Sequence, residues 1–203
     1  MNISINSHSS VQIENLYFDP FNIAENMKPA KFIFITHPHY DHLSIEDIKK
    51  VCDKNTIFVA TQDSAEKLKK TFSNQIIIVK PNQSFDFDDL HVETFASFNT
   101  NKNFHRKEFG WVGFKVTLNN TSYAVVGDTD ATDELSNLSC DVLFLPIGGT
   151  YTMNAHEAAE LANKIKPKLV IPTHYNAIVG DKNDEKEFLE SLDKNIEYKI
   201  LIK

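Results

Sequence analysis

The sequence has few cysteines and therefore little capacity for covalent crosslinks or thiolate metal sites. Only two are present in 203 residues, Cys52 and Cys140. Cys52 lies in a predicted helix and Cys140 at the start of a predicted strand, and their spacing fits neither a disulfide framework nor a cysteine zinc site. Both are therefore expected to be inert thiols in the core.

Long apolar runs, repeats and linkers are also missing. No segment has the length and hydrophobicity of a membrane span, and the N-terminal residues lack the basic start and apolar middle of a signal peptide. No stretch rich in Gly, Ser or Pro divides the chain, and no fixed period recurs. With 41% apolar and 24% charged residues, residues 1–203 are expected to form a single domain in the cytoplasm.

Positive charge is in short supply as well. The chain has 21 Lys and Arg against 28 Asp and Glu, which gives a net charge of −7. This balance argues against a nucleic-acid partner, because such binding depends on counterion release by Lys and Arg. The acidic segments at 86–89 and 181–187 are interpreted as solvated turns and a helix start. A small-molecule substrate, including an anionic one, remains compatible with this charge, and a homo-oligomer stays open.

What the sequence does contain is a dense group of ionisable residues, His-Pro-His-Tyr-Asp-His at 37–42. The apolar run at 31–36 predicts a buried strand, and Pro38 ends its pairing. A Ser with an acid three residues later predicts the cap of a helix over 44–52. The group therefore lies at a strand–loop–helix corner. Its imidazoles and carboxylate suit zinc, iron, nickel, copper or manganese, so residue type alone leaves the ion open.

Two later segments repeat this pattern of an apolar strand that leads to an ionisable residue. Residues 121–127 predict a strand that ends at Asp128, and residues 168–173 predict one that ends at His174. Asp128 and His174 therefore each follow an apolar strand, as His37 does.

One further histidine precedes Asp128 in the loop over residues 98–110. It is His105, which is followed by two cations. Two other histidines lie outside these segments, His91 in a predicted strand and His156 in a predicted helix.

The order of these residues, His-x-His-x-Asp-His after an apolar strand and then His, Asp and His, resembles the metallo-β-lactamase superfamily. The resemblance implies an α+β fold, a four-layer αβ/βα sandwich of two mixed sheets with helices outside. It also implies two metal ions that share one bridging ligand. The first ion would bind His37, His39 and His105, the second Asp41, His42 and His174, and the bridge would be Asp128. His91 and His156 are the alternatives to His105.

Within the superfamily, the sequence is similar to small cytoplasmic hydrolases related to ascorbate-6-phosphate lactonase and to N-acylphosphatidylethanolamine phospholipase D. His39 replaces the Glu of flavodiiron relatives, which disfavours an oxygen-reducing di-iron centre. Four short segments support this subgroup: 8–10, 18–21, 127–130 and 148–153.

The resemblance implies hydrolysis of a small ester, lactone or phosphoester by a metal-bound hydroxide. Two divalent ions are expected, zinc in the first place, with manganese or iron as alternatives. Asp41 would orient the water or accept its proton, and His174 or a metal-bound water would protonate the leaving group. Two alternatives stay open: a mononuclear-iron redox or sulfur-transfer enzyme, and a non-catalytic protein whose metals serve folding.

Two further groups of residues are assigned supporting roles. Asp19 and Thr36 are expected to orient the imidazoles of the metal ligands. The candidates for substrate binding share a position in loops near the predicted ligands, and they are His8, Arg106, Tyr151 and Tyr175.

Periodicity and turn residues give the expected secondary structure. Strands are predicted over 2–6, 11–18, 31–36, 56–60, 75–79, 90–97, 111–118, 121–127, 141–146, 168–173 and 197–202. Helices are predicted over 44–52, 62–71, 131–137, 155–165 and 184–193.

Overall fold

A computed structural model describes residues 2–87 and 89–202 of the chain. The described residues form two compact units, the first over residues 2–80 with Ile202 and the second over residues 81–201. Each unit contains one mixed β-sheet and its own helices. The α+β class with two mixed sheets is therefore confirmed, whereas a single domain over 1–203 stays a prediction.

The sheet of the first unit has the order β1-β2-β3-β4-β5-β6. Pairing is antiparallel from β1 to β3 and parallel from β3 to β6. The strands are β1 (Ile3–Ser7), β2 (Ser10–Ile13), β3 (Leu16–Phe18), β4 (Phe32–Ile35), β5 (Ile57–Ala60) and β6 (Ile76–Ile78). The helices are α1 (Ile45–Val51) and α2 (Gln62–Leu68).

The prediction of one strand over 11–18 is wrong, because β2 and β3 are separate strands of a hairpin. The chain reverses after Ile13, where Glu14 adopts φ 53°, and Ile13 then pairs with Leu16. Glu rarely adopts this left-handed conformation, and the Gly or Asn-Gly pair that usually marks such a turn is missing here. The sequence therefore did not predict the turn.

The sheet of the second unit has the order β13-β12-β11-β10-β9-β8-β7. Pairing is antiparallel from β7 to β10 and parallel from β10 to β13. The strands are β7 (Ser84–Phe87), β8 (Leu90–Ala96), β9 (Val112–Leu118), β10 (Thr121–Val125), β11 (Val142–Pro146), β12 (Leu169–Thr173) and β13 (Glu197–Tyr198). The helices are α3 (Asp133–Ser136), α4 (Ala155–Ile165) and α5 (Lys182–Ser191), with a 3₁₀ turn at Lys107–Phe109.

Two predictions in this unit are corrected by the structure. Residues 86–87 form part of β7 and are not a solvated turn, since Asp86 pairs with His91 across the sheet; Asp88 lies outside the described residues. The alternation of Phe85 and Phe87 with polar residues is a strand pattern that the acidic charges concealed. The last strand ends at Tyr198 and does not extend to residue 202.

Helix α4 shows how local sequence fixes an element boundary. The Asn154 side chain accepts a hydrogen bond from the Glu157 amide, and the Glu157 side chain accepts one from the Asn154 amide. This capping box, which the sequence predicts, satisfies two amides that the first helical turn leaves unpaired. Helix α5 begins earlier than predicted, because Asp181 and Asp184 form a second capping box there.

Both cysteines are free thiols and half-buried. Burial raises the pKa of Cys140 to about 12, and burial also raises the pKa of Cys52. Thiols with raised pKa values stay protonated and react slowly near neutral pH, as inert residues would. Over residues 2–87 and 89–202, no helix combines the length and apolarity that crossing a membrane requires.

Candidate metal centre

The first unit gathers its histidines at the carboxyl end of strand β4. The chain leaves β4 at Ile35 and turns back on itself, where the amides of His42 and Leu43 both donate to the His39 carbonyl. This turn brings Nε2 of His37 within 3.0 Å of Nδ1 of His39. The rings of His37 and His42 have centroids 4.0 Å apart. Three imidazoles therefore share one small volume.

The carboxylate of Asp41 is the meeting point of two more imidazole nitrogens. Its Oδ2 lies 3.3 Å from Nε2 of His8 and 3.5 Å from Nε2 of His42. His8 and His42 are fully buried, and Asp41 is 8% exposed. A buried carboxylate next to two imidazoles favours a bound cation, because a carboxylate is costly to bury without a charge partner.

Asp19 and Thr36 fix the protonation of two of these imidazoles. The Thr36 amide and hydroxyl donate to Asp19 at 2.8 and 2.6 Å. Because the hydroxyl proton points to Asp19, the Thr36 oxygen accepts from Nδ1 of His37 at 3.0 Å. Asp19 accepts in the same way from Nδ1 of His42 at 2.7 Å. Both rings therefore carry their lone pair on Nε2, the form in which a histidine binds a metal ion through that nitrogen.

Asp19 is itself fully buried, which raises the pKa of its carboxyl group, while His42 and the hydrogen bonds from Thr36 oppose this increase. The contacts of Asp19 and Thr36 agree with the orienting role that the sequence predicts for them.

The second unit presents a matching group of residues. The Oδ2 atom of Asp128 lies 2.9 Å from Nε2 of His174 and 3.3 Å from Nε2 of His105. His174 follows the end of β12, and Asp128 follows the end of β10. All three side chains are at most 2% exposed.

Asn99 orients His105, a contact that sequence reasoning missed. The Asn99 Nδ2 group donates to Oδ1 of Asp130 and to the Tyr151 carbonyl, so its Oδ1 atom is the acceptor. This oxygen accepts from the amide of His105 at 3.1 Å and from its Nδ1 at 3.1 Å. His105 consequently also keeps the lone pair of Nε2.

Asp130 completes this network and holds the loop that carries His105. It accepts from the Thr100 amide and from Lys102 at 2.8 and 2.7 Å. Burial alone would raise the pKa of Asp130, but the hydrogen bonds from Lys102 and Thr100 outweigh it, and the pKa lies below its usual value. Asp130 lies in the 127–130 segment that supports the subgroup, but the sequence analysis gave it no role, and nothing local marks Asn99.

The spacing of the donor atoms in each unit fits a coordinated metal ion. Ligands at 2.0–2.2 Å from one ion lie about 3.4 Å apart in a tetrahedral site and about 3.0 Å apart in an octahedral one. The Nε2–Oδ2 distances in these two groups range from 2.9 Å, between His174 and Asp128, to 3.5 Å, between His42 and Asp41. Imidazole and carboxylate donors with these separations suit zinc, iron or manganese.

Three residues of these groups adopt the left-handed backbone conformation: His8 at φ 52°, Asp19 at φ 46° and His174 at φ 57°. Non-glycine residues in this region carry strain, which folded proteins concentrate at functional sites. The backbone thus places these side chains at a cost in stability.

The alternatives to His105 lie elsewhere in the second unit. His91 is in β8, where its Nδ1 contacts Asp86 at 2.6 Å, and its side chain is 38% exposed. His156 is exposed on α4 beside Glu160. Of the three histidines, His105 is the one whose Nε2 faces Asp128.

The residues with predicted substrate roles have different surroundings. Arg106 is exposed next to His105, with its guanidinium 4.6 Å from the Phe109 ring. The half-buried Tyr151 packs edge-on against the exposed Phe104. Tyr175 is fully buried, and its hydroxyl donates to Glu185 at 2.9 Å; burial, with the Glu185 carboxylate, raises its pKa. Substrate contact stays a prediction for each of them.

Comparison with known proteins identifies relatives along the whole chain. A profile of the beta-lactamase superfamily domain matches residues 2–175. A UPF0173 metal-dependent hydrolase of Listeria welshimeri is 28% identical over 99% of this chain and 96% of its own length. A second one, of Thermoplasma acidophilum, is 29% identical over 86% of this chain and 82% of its own length.

Solved structures give the same result. A protein of Parabacteroides distasonis, described as a metal-dependent hydrolase, superposes with a TM-score of 0.85 at 26% identity over 99% of this chain and 93% of its own. Igni18 of Ignicoccus hospitalis, a metallo hydrolase, shares the fold with a TM-score of 0.76 at 19% identity, over 98% of this chain and 94% of its own.

Proposed function

Because this chain belongs to the beta-lactamase superfamily, we propose that it hydrolyses small esters, lactones or phosphoesters with two divalent metal ions. Zinc is the first candidate for both ions, and manganese and iron are the alternatives. Assignment of the chain as a metal-dependent hydrolase agrees with the two named relatives, of whose lengths it matches 96% and 82%. Its likeness to ascorbate-6-phosphate lactonase in particular stays a prediction.

One observation carries the proposal. In each unit, two imidazole Nε2 atoms converge on a single carboxylate oxygen, Asp41 Oδ2 in the first and Asp128 Oδ2 in the second. Hydrogen bonds at Nδ1 of His37, His42 and His105 assign the ring proton to that nitrogen and the lone pair to Nε2. The ligands that we assign are those that the family resemblance implies: His37, His39, Asp41, His42, His105, Asp128 and His174.

When bound, two divalent ions would lower the pKa of water toward neutrality and polarise the bond to be cleaved. The residues of the chain would then hold and move protons. Asp41, whose carboxylate is slightly exposed, would orient the attacking water and accept its proton. The departing oxygen would take its proton from His174 or from a water molecule in the site. No protein nucleophile is required.

The surroundings of His105 support an anionic substrate. Arg106 is adjacent to it and exposed, so its guanidinium can bind a carboxylate or phosphate through two parallel hydrogen bonds. Tyr151 is tied to the same loop through Asn99 and can offer its hydroxyl to a carbonyl or phosphate oxygen. A cytoplasmic location and a homo-oligomer stay predictions.

Elemental analysis of protein purified without added metal tests the cofactor. We expect about two divalent ions per chain, with zinc the most abundant. A single iron per chain, with absorbance that changes when a thiol is added, would favour the redox or sulfur-transfer alternative instead.

A substrate panel tests the reaction. The metal-loaded and the metal-free protein are assayed on aryl esters, aliphatic lactones, phosphomonoesters and phosphodiesters. We expect turnover of at least one class that disappears on metal removal, returns on metal addition, and falls at least about 100-fold in Asp128→Asn. His156→Ala, an exposed histidine outside the site, is the control. Equal rates for loaded and metal-free protein on every class would exclude metal-dependent hydrolysis of these substrates.

A further inference from the structure

We propose that His8 is a metal ligand, which binds the same ion as Asp41 and His42 and does not contact the substrate directly. This inference rests on the proposed function and extends its ligand set by one residue. It assigns to His8 a different role from the substrate contact that the sequence predicts.

The distances around Asp41 are the first support. Nε2 of His8 and Nε2 of His42 lie 3.3 and 3.5 Å from the same oxygen, Asp41 Oδ2. The three donor atoms are all within 4.8 Å of one another. A charge-assisted hydrogen bond is shorter, at about 2.7–2.9 Å. Separations of 3.3 and 3.5 Å agree better with two edges of a tetrahedral site, which are about 3.4 Å long.

The position of His8 in the fold is an independent second support. His8 and Ser9 form the two-residue turn between β1 and β2, where Ser7 pairs with Ser10. Hairpin turns of this length favour Asn or Gly, because the backbone must adopt positive φ. His8 has φ 52° and yet is fully buried. A buried imidazole at a strained turn is explained by a function for its side chain.

The donor set formed by His8, Asp41 and His42 has a chemical consequence. Two imidazoles and one carboxylate match the number of protein ligands that hold a catalytic zinc ion, even before His174 is counted. All three residues belong to the first unit. This ion should therefore remain bound in His174→Ala, although with lower affinity.

The experiment uses His8→Gly and His8→Asn, loaded with Co²⁺. Both Gly and Asn accept a left-handed backbone, so either variant should fold, which thermal unfolding of the metal-free proteins checks. We expect one of the two ions to bind about 100-fold more weakly, since loss of an outer-shell partner alone costs 10–100-fold. The visible cobalt spectrum at saturation should also change, because one nitrogen donor is missing.

External imidazole then distinguishes a ligand from a structural residue. In His8→Gly the removed side chain leaves a cavity that free imidazole can enter, and we expect it to restore both the affinity and the wild-type cobalt spectrum. His156→Ala is the control and should behave as wild type with or without imidazole.

Two results would overturn the assignment while the proposed function stands. The first is that His8→Gly binds two ions with wild-type affinity. The second is that it binds one ion weakly but has an unchanged cobalt spectrum at saturation, which would mean that His8 only orients Asp41. Failure of the wild-type protein to bind a second ion would overturn the proposed function as well.

Discussion

The carboxylate of Asp19 accepts a hydrogen bond of 2.7 Å from Nδ1 of His42, and both side chains are fully buried. The same carboxylate accepts from the hydroxyl of Thr36, which in turn accepts from Nδ1 of His37. One aspartate therefore determines which nitrogen two imidazoles present to the site. Such outer-shell carboxylates fix the tautomer of a ligand and increase its basicity.

Replacing this aspartate should weaken metal binding without removing a ligand. We expect Asp19→Asn to lower metal affinity about 10–100-fold, because an amide can turn its NH₂ group toward His42 and disfavour the required tautomer. Competition with a chromogenic chelator measures the effect.

Asp47→Asn is the matched control for Asp19→Asn. Asp47 is also buried in the first unit, but it accepts from the amides of Asn22 and Ile23, which are not histidines. The Asp47→Asn variant should be less stable than wild type but should bind metal with the same affinity. Equal losses of affinity in both variants would show that Asp19 acts through general stability.

Asn99 makes the corresponding prediction in the second unit. Because its Oδ1 atom accepts from both the amide and Nδ1 of His105, Asn99→Ala should release the ring and reduce metal affinity about 10-fold. Isothermal titration with Zn²⁺ measures the change. Asn163→Ala is the control, since Asn163 bridges Ser191 and Asp193 in a similar way but away from the histidines. Unaltered zinc affinity in Asn99→Ala would refute the orienting role.

The pKa of Asp141 predicts how stability depends on pH. The ammonium of Lys168 and two hydrogen bonds from Ser122 lower this pKa to about 2, well below the usual range of an aspartate. A carboxyl group with a lower pKa in the folded state stabilises the fold above the unfolded pKa, and this contribution is lost as pH falls from about 4 toward 2.

Urea unfolding of the metal-free protein between pH 6 and pH 2 measures this contribution. The free-energy difference between wild type and Asp141→Asn should be largest at pH 6 and should shrink below pH 4. Glu187→Gln, at an exposed position on α5, should show a small difference that does not change with pH. A constant difference for Asp141→Asn would contradict the assignment of its pKa.

The sequence predicted the elements that carry the site more accurately than their connections. The apolar runs before His37, Asp128 and His174 are strands because period-2 or fully apolar patterns report burial directly. The capping box at Asn154 was equally easy to predict, since it depends on two residues that are three positions apart in the sequence. These features depend on residues that are close in sequence, so they can be predicted without knowledge of tertiary contacts.

Features that depend on contacts between residues distant in sequence could not be predicted from the sequence. Asn99 and Asp130 are 31 residues apart and meet only when the chain folds. Glu14 adopts a turn conformation that its residue type disfavours, and tertiary pairing of β2 with β3 imposes it. The buried position of His8 in a hairpin turn likewise follows from the surrounding fold and not from its neighbours in sequence.

Gly148 limits how the backbone that carries His174 can move. A Cβ atom at Gly148 would lie 2.2 Å from the carbonyl oxygen of His174, which belongs to the backbone and cannot rotate away. His174 already occupies a strained conformation at φ 57°. The Gly148→Ala substitution must therefore displace the main chain of a proposed ligand. Overpacking of this kind costs about 1–3 kcal/mol of stability.

We expect Gly148→Ala to lose about 1–3 kcal/mol in urea unfolding of the metal-free protein, and to bind zinc more weakly because Nε2 of His174 moves relative to Asp128. Gly110→Ala is the control: Gly110 also has positive φ, 67°, but a Cβ there would meet no atom within 4 Å. It should lose stability through backbone strain alone and retain its zinc affinity. If Gly148→Ala lost stability to the same extent as Gly110→Ala and bound zinc as wild type does, the contact with His174 would not constrain the ligand.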